Sequence, residues 1–191
     1  MPFEACPWWG VEDGRFQKDI TRKALLMAVL LRGSKIEHAK ACKITVDGLD
    51  ATEKLIEILN GWDFDAVLLA GVSFAGFNVI DPMAIHEKFG EPTIIISRTK
   101  PDNKAVKRAL QRHFEDWEIR WGVFEKLGSV HRVVALASEP PIYVETVGVG
   151  VLLACNIIRA LCVCSRVPEP IRVARLIARG LSLLERNNCN L

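Results

Sequence analysis

Residues 67–81 read VLLAGVSFAGFNVID, and residues 43–52, upstream of them, read KITVDGLDAT. The first string continues an apolar run, Ala66 to Gly71, with the length and character of a strand buried on both faces of a sheet. It passes through small residues and turns into a helix near Asp81-Pro82, because Asp suits the N-cap and Pro the first helical position. The second string is a strand end that gives way to a helix after Asp50. Glu53 stands at capping-box spacing, and Leu55, Ile56, Ile58 and Leu59 form the buried stripe. A strand that runs into a loop and then a helix, twice over, predicts an α/β sheet whose carboxyl strand ends carry a site.

Three strand-like runs surround or precede these strings: Trp8 to Val11, Ala24 to Leu31 and Ile36 to Val46. The last two are joined by Gly33-Ser34, a hairpin turn, while Glu12-Asp13-Gly14 reads as the break after the first. Downstream, Pro92 to Ser97 predicts another strand, followed by a basic amphipathic helix over 103–114 and a further helix over 115–127. Residues 130–137 and 142–146 read as a hairpin turned at Glu139-Pro140-Pro141, and helices over 150–164 and 170–185 close the chain. Because three strands come before any helix, the order predicts a ribonuclease-H-like mixed α/β sheet. Its antiparallel strands come first and its C-terminal helices last, which argues against a doubly wound dinucleotide fold. The length suits a single domain over residues 1–191.

Composition narrows the classes. Hydrophobic residues make up 50% and charged ones 25%, which is globular and excludes a disordered chain. The net charge of +2 names no partner, but the charges are segregated. Lys104, Lys107, Arg108 and Arg112 crowd the 103–114 helix, and Arg172, Arg175 and Arg179 the last one. The six cysteines show no CxxC and no zinc spacing with His, so a disulfide or zinc scaffold is not expected. Met1 to Cys6 does not resemble a signal peptide, and Asn156 and Arg159 interrupt the longest apolar run, Val147 to Val163. No membrane partner and a cytoplasmic location are therefore expected.

At the strand ends the chain presents Glu12, Asp13, Asp47 and Asp50. Clustered carboxylates suit Mg²⁺ or Mn²⁺, and two-metal phosphoryl transfer needs them to clamp the attacking and leaving oxygens. Each also has a plainer reading: Asp47-Gly48 as a turn, Asp50 as a cap, Glu12-Asp13-Gly14 as a turn, and the lysine-rich helix as a solvated face. His38, His86, His113 and His131 have no metal spacing. Ser73 is the one candidate nucleophile in the 71–76 loop, and no base marks it. Trp117 and Trp121 fall on one helix face and are expected in the core.

Four strings carry a family resemblance: Gly10-Val-Glu-Asp-Gly14, Val46-Asp-Gly-Leu-Asp-Ala-Thr52, Ala70-Gly-Val-Ser-Phe-Ala-Gly-Phe-Asn-Val-Ile-Asp81 and Pro168-Glu-Pro-Ile-Arg-Val-Ala174. Through them most of the chain resembles the archaeal family of domain of unknown function 99, whose name assigns no activity. More distantly it is similar to endonuclease V, which nicks nucleic acid near deaminated bases with Mg²⁺ on a ribonuclease-H-like fold. The resemblance implies that Glu12, with Asp13 beside it, takes the place of the endonuclease's first-strand aspartate, and that Asp50 takes the place of its glutamate. Ala70 falls where its strand-four aspartate would be and Val147 near its histidine, and neither binds metal.

Two function classes follow. The first is a nucleic-acid-associated protein with a degenerate acidic metal site, either catalytic through Glu12, Asp13 and Asp50 or binding nucleic acid without catalysis. It would hold Mg²⁺ or Mn²⁺ at Glu12, Asp13, Asp47 and Asp50, with Asp81 as a possible substitute ligand, and bind nucleic acid through Lys104, Lys107, Arg108, Arg112 and Arg172. The second is a non-catalytic ligand- or partner-binding module of the same fold.

Overall fold

The structure, a computed structural model, describes residues 6–17 and 20–188, with side chains in the last helix described as far as Glu185. The reading of Met1 to Ala5 and the thiol of Cys189 lie outside the described residues.

The sheet is built around β1 (Pro7–Asp13), buried along its whole length except at Asp13. β2 (Lys23–Arg32) pairs with it antiparallel, and β3 (Lys35–Thr45) pairs antiparallel with β2 through the Gly33 turn, where φ is +59°. β4 (Ala66–Leu69) and β7 (Thr93–Ser97) extend the other side in parallel, and the hairpin of β8 (His131–Val133) and β9 (Ile142–Val147) closes the edge. The seven strands stand in the order β3-β2-β1-β4-β7-β9-β8. The three-strand antiparallel start and the later parallel crossovers are those expected of the ribonuclease-H-like order.

Helices cover both faces, as parallel strands require. On one face, Trp9, Val11, Val67, Leu69 and Ile95 pack against α1 (Ala51–Leu59), α2 (Pro82–Phe89) and α4 (Trp117–Lys126) through Leu55, Leu59, Ile85 and Val123. On the other, Trp8, Leu68, Ile94 and Ile96 meet α5 (Val151–Leu161) and the start of α6 (Glu169–Asn188). The outer face of β2, Leu25, Met27, Val29 and Leu31, packs on Ala174 and Ala178 of α6. α3 (Asn103–His113) leaves the carboxyl end of β7 and rides on α4. Among the described residues, no helix is long and apolar enough to cross a membrane.

Two glycines of β1 and its end set how closely α6 lies on the sheet. A Cβ at Gly10 would stand 2.0 Å from the Pro170 carbonyl carbon, and one at Gly14 would stand 2.3 Å from Ser182 Oγ. At Gly10 the near atoms are backbone, so no other residue is tolerated there.

Three expectations are corrected. Glu12 and Asp13 are not a turn: they are the last two residues of β1, opposite Met27 and Leu26. The loop after β4 contains a small hairpin of its own, β5 (Ser73–Phe74) with β6 (Asn78–Val79). Trp117 and Trp121 are half-buried rather than in the core, with the Lys107 ammonium over both rings at 5.9 and 4.8 Å.

Candidate functional site

β1, β4 and β7 all point their carboxyl ends at one rim, where the expected acidic residues stand. They divide into two groups with different jobs.

Asp47 and Asp50 belong to a polar lock between the β3–α1 loop and the β5–β6 hairpin. Asp47 adopts φ +56°, a left-handed conformation that Asp tolerates better than most residues, and its N–H donates to the Ala75 carbonyl at 2.9 Å. Its Oδ1 accepts from the Phe77 N–H at 2.7 Å. The fit is close: a Cβ at Gly76, itself at φ +86°, would stand 2.2 Å from that oxygen. Asp50 was expected to cap α1, but its side chain makes no capping bond. It turns back and accepts from the Thr45 N–H at 3.0 Å, the Thr45 hydroxyl at 2.9 Å and the Asn78 amide at 2.6 Å. Asn78 caps the helix instead, its Oδ1 accepting from the Ala51 N–H at 3.0 Å. Burial alone would raise the Asp50 carboxyl, but the Thr45 and Asn78 donors outweigh it and hold the group below its ordinary range.

Arg120 closes the lock. It is only 4% exposed and forks onto Asp116 through Nε at 2.8 Å and Nη2 at 2.9 Å. The same guanidinium donates to the carbonyls of Asp47 at 2.9 Å, Gly48 at 2.9 Å and Phe77 at 2.6 Å. One buried cation thus ties α4 to both loops at once. Asp81, the other expected acid, caps α2 by accepting from the Met83 N–H at 2.9 Å, and lies 3.7 Å from Lys126.

Glu12 and Asp13 are different. Asp13 faces the hairpin and accepts from the Ala75 N–H at 2.6 Å. Glu12 faces α6, where Arg175 Nε donates to its Oε2 at 2.6 Å and Nη2 reaches the same oxygen. Burial pushes Glu12 up to about 7 against the pull of Arg175, and the Asp13 charge adds to the rise. Burial raises Asp13 as well. Burial therefore favours the protonated form at both carboxyls.

The expected four-carboxylate metal cluster is not assembled. Among the described residues, no group of three or more His, Cys, Asp or Glu side chains is close enough to hold an ion. Both oxygens of Asp50 and Oδ1 of Asp47 are taken by donors of the lock, which leaves Glu12 and Asp13 as the other acids of the rim. The remaining donor set, Glu12 with Asp13, still suits Mg²⁺ or Mn²⁺. Such ions are commonly held by one or two carboxylates, with substrate phosphate and water completing the shell. Ala70 donates its N–H to the Val11 carbonyl at 3.1 Å and packs with the core on the α5 side. Val147 pairs with Thr93, level with Trp9 and two side chains down the same face from Asp13, and is packed in the core there.

The basic residues separate similarly. Lys104, Arg108 and Arg112 are exposed along α3. Lys107 is engaged with the two tryptophans and lies 3.6 Å from Glu125. Arg172 forks onto Glu169 at 2.8 and 2.6 Å, so its charge is neutralised within α6.

With this geometry in place, the family is decided by sequence. The Endonuclease dU family matches residues 6–182. The chain belongs to that family. Archaeal relatives named UPF0215 protein agree: one from Methanothermobacter thermautotrophicus is 36% identical over 181 residues, covering 92% of this chain and 87% of its own length. One from Pyrococcus furiosus is 35% identical over 178 residues, covering 90% of each chain. A crystal structure of a protein of unknown function from Archaeoglobus fulgidus superposes with a TM-score of 0.82 at 27% identity, over 92% of this chain and 98% of that one. Endonuclease V shares the fold. The Ciona intestinalis enzyme, solved with DNA containing an inosine followed by a ribo-adenosine, matches at TM-score 0.63 and 15% identity, over 95% of this chain and 86% of its own. The Bacillus subtilis endonuclease V matches at 0.64 and 17%, over 98% and 85%.

Proposed function

We propose that this Endonuclease dU family member acts on nucleic acid carrying a deaminated base, with deoxyuridine as the lesion, and cuts the backbone at the sheet rim. The observation that carries this reading is the Glu12–Asp13 pair at the end of the central strand, Glu12 buried and Asp13 half-buried, with the affinity of both for protons raised. Perturbed carboxyls at strand ends of an open sheet are where chemistry is usually found. The family description supplies the substrate class, and the endonuclease V fold supplies the precedent of DNA on this architecture.

In this reading, Lys104, Arg108 and Arg112 neutralise backbone phosphates, and Lys107 with Trp117 and Trp121 offers a surface on which a base can stack. Glu12 and Asp13 would hold Mg²⁺ or Mn²⁺, which supplies a Lewis acid and an activated water when bound. Asp13 also holds Ala75, so the hairpin and the acidic centre move together. Asp47, Asp50 and Arg120 position the hairpin and take no part in the chemistry.

Incubating the protein with Mn²⁺ and a uracil-containing oligonucleotide tests the reading. Cleavage lost in the Glu12→Gln, Asp13→Asn double variant supports it, and cleavage that persists there refutes it. A non-catalytic binder of the same fold is the second reading, favoured by the Arg175 guanidinium already seated on Glu12. It predicts salt-sensitive binding through α3 with no cleavage and no metal requirement.

A further inference from the structure

We infer that Arg175 is a gate on metal loading: it holds Glu12 while the rim is empty and releases it when a phosphodiester arrives. The inference rests in its second half on the nucleic-acid reading above. Its first half concerns metal binding alone and stands separately.

The placement of Arg175 is built into the fold. Its helix crosses β1 at Gly10, where a Cβ would meet the Pro170 backbone, and passes just beyond the strand at Gly14, where one would meet the Ser182 hydroxyl. Glu12 lies between these glycines on the strand, and Arg175 lies between the two contact points on the helix. The helix backbone is held close to the sheet at Gly10, and Ala174 and Ala178, on either side of Arg175, pack on β2. Only the Arg175 side chain is free to leave.

The chemistry is a competition. Arg175 places two nitrogens on one oxygen of Glu12, the 2.6 Å contact from Nε being one of them. A divalent cation needs the same lone pairs and is repelled by the guanidinium charge. Asp13 is a single carboxylate with one oxygen already on the Ala75 N–H, so it offers no independent site. A guanidinium also binds phosphate through a planar fork, so an incoming backbone phosphate gives Arg175 an acceptor to exchange for Glu12. Metal loading is thereby made conditional on substrate. Neutralising Arg175 should make it unconditional.

The test is a Mn²⁺ titration of the full chain followed by electron paramagnetic resonance, first without nucleic acid. Arg175→Gln should bind Mn²⁺ at least tenfold more tightly than the wild type, and adding Glu12→Gln to it should abolish the gain. Equal affinity in the wild type and Arg175→Gln, whether tight or weak, overturns the gate. A second titration needs no variant: a short uracil-containing single strand should tighten Mn²⁺ binding to the wild type at least tenfold. Unchanged Mn²⁺ affinity with the strand bound overturns the exchange step. If the protein cuts nothing, the proposed function fails, while the difference between wild type and Arg175→Gln still decides the gate.

Discussion

Asp50, in the loop after β3, and Glu12, at the end of β1, reach the same rim from strands that flank β2, and they have opposite surroundings. Asp50 collects donors from Thr45 and Asn78 and stays easily ionised. Glu12 is buried beside a second carboxyl, and one guanidinium does not fully compensate, so it holds its proton up to about 7. The contrast teaches that carboxylates near a strand end are not interchangeable. Those saturated by backbone donors hold the scaffold, and those left short of donors are available for chemistry.

The lock should dominate stability. Arg120→Ala removes the fork to the half-exposed Asp116 and orphans three carbonyls, and should cost about 2–3 kcal/mol in urea unfolding, the scale of hydrogen bonds to a charged group with their acceptors left unpaired. A cost under about 1 kcal/mol, the level of an exposed pair, would break the idea that this region is a lock. Asp50→Asn keeps the shape but loses the charge-assisted bonds and should cost about 2 kcal/mol. Because the Asp50 carboxyl is held below its ordinary 3.8, its contribution is present at neutral pH and fades as pH falls through the folded value.

Glu12 should show the reverse slope. Between its ordinary 4.5 and about 7, the folded chain keeps a proton that the unfolded chain has released, so stability declines as pH rises through that window. Glu12→Gln lacks this decline, and its stability relative to the wild type should climb from pH 4.5 to 7 in thermal melts. A flat difference would mean that Glu12 is an ordinary exposed acid. The smallest stability effect belongs to Lys104, Arg108 and Arg112. Changing all three to Ala should move stability by no more than about 0.5 kcal/mol per site while lowering the salt slope of oligonucleotide binding by up to about 3.

Much of the scaffold was legible locally. The unbroken apolar run at 66–69 marks a buried strand, Gly33-Ser34 marks the hairpin, and Asp81-Pro82 marks the start of α2, all borne out by the structure. The rim was less legible because its contacts join residues far apart in sequence. β5 and β6 are two residues each, too short to show a period. Asp50 carries the local signature of a cap, yet Asn78, distant in sequence, takes that task. Arg120 shows no local sign of its partners on two other loops, and Arg175 none of Glu12. The four-residue spacing of Trp117 and Trp121 fixes a common face but not what covers it, and Lys107 covers it here.

The division of labour at the rim is tested most directly by cleavage of a uracil-containing oligonucleotide, normalised to folded protein, in two single variants compared side by side. Asp50→Asn should retain wild-type cutting per folded molecule, while Glu12→Gln should lose it. Loss in Asp50→Asn with cutting intact in Glu12→Gln would contradict the account.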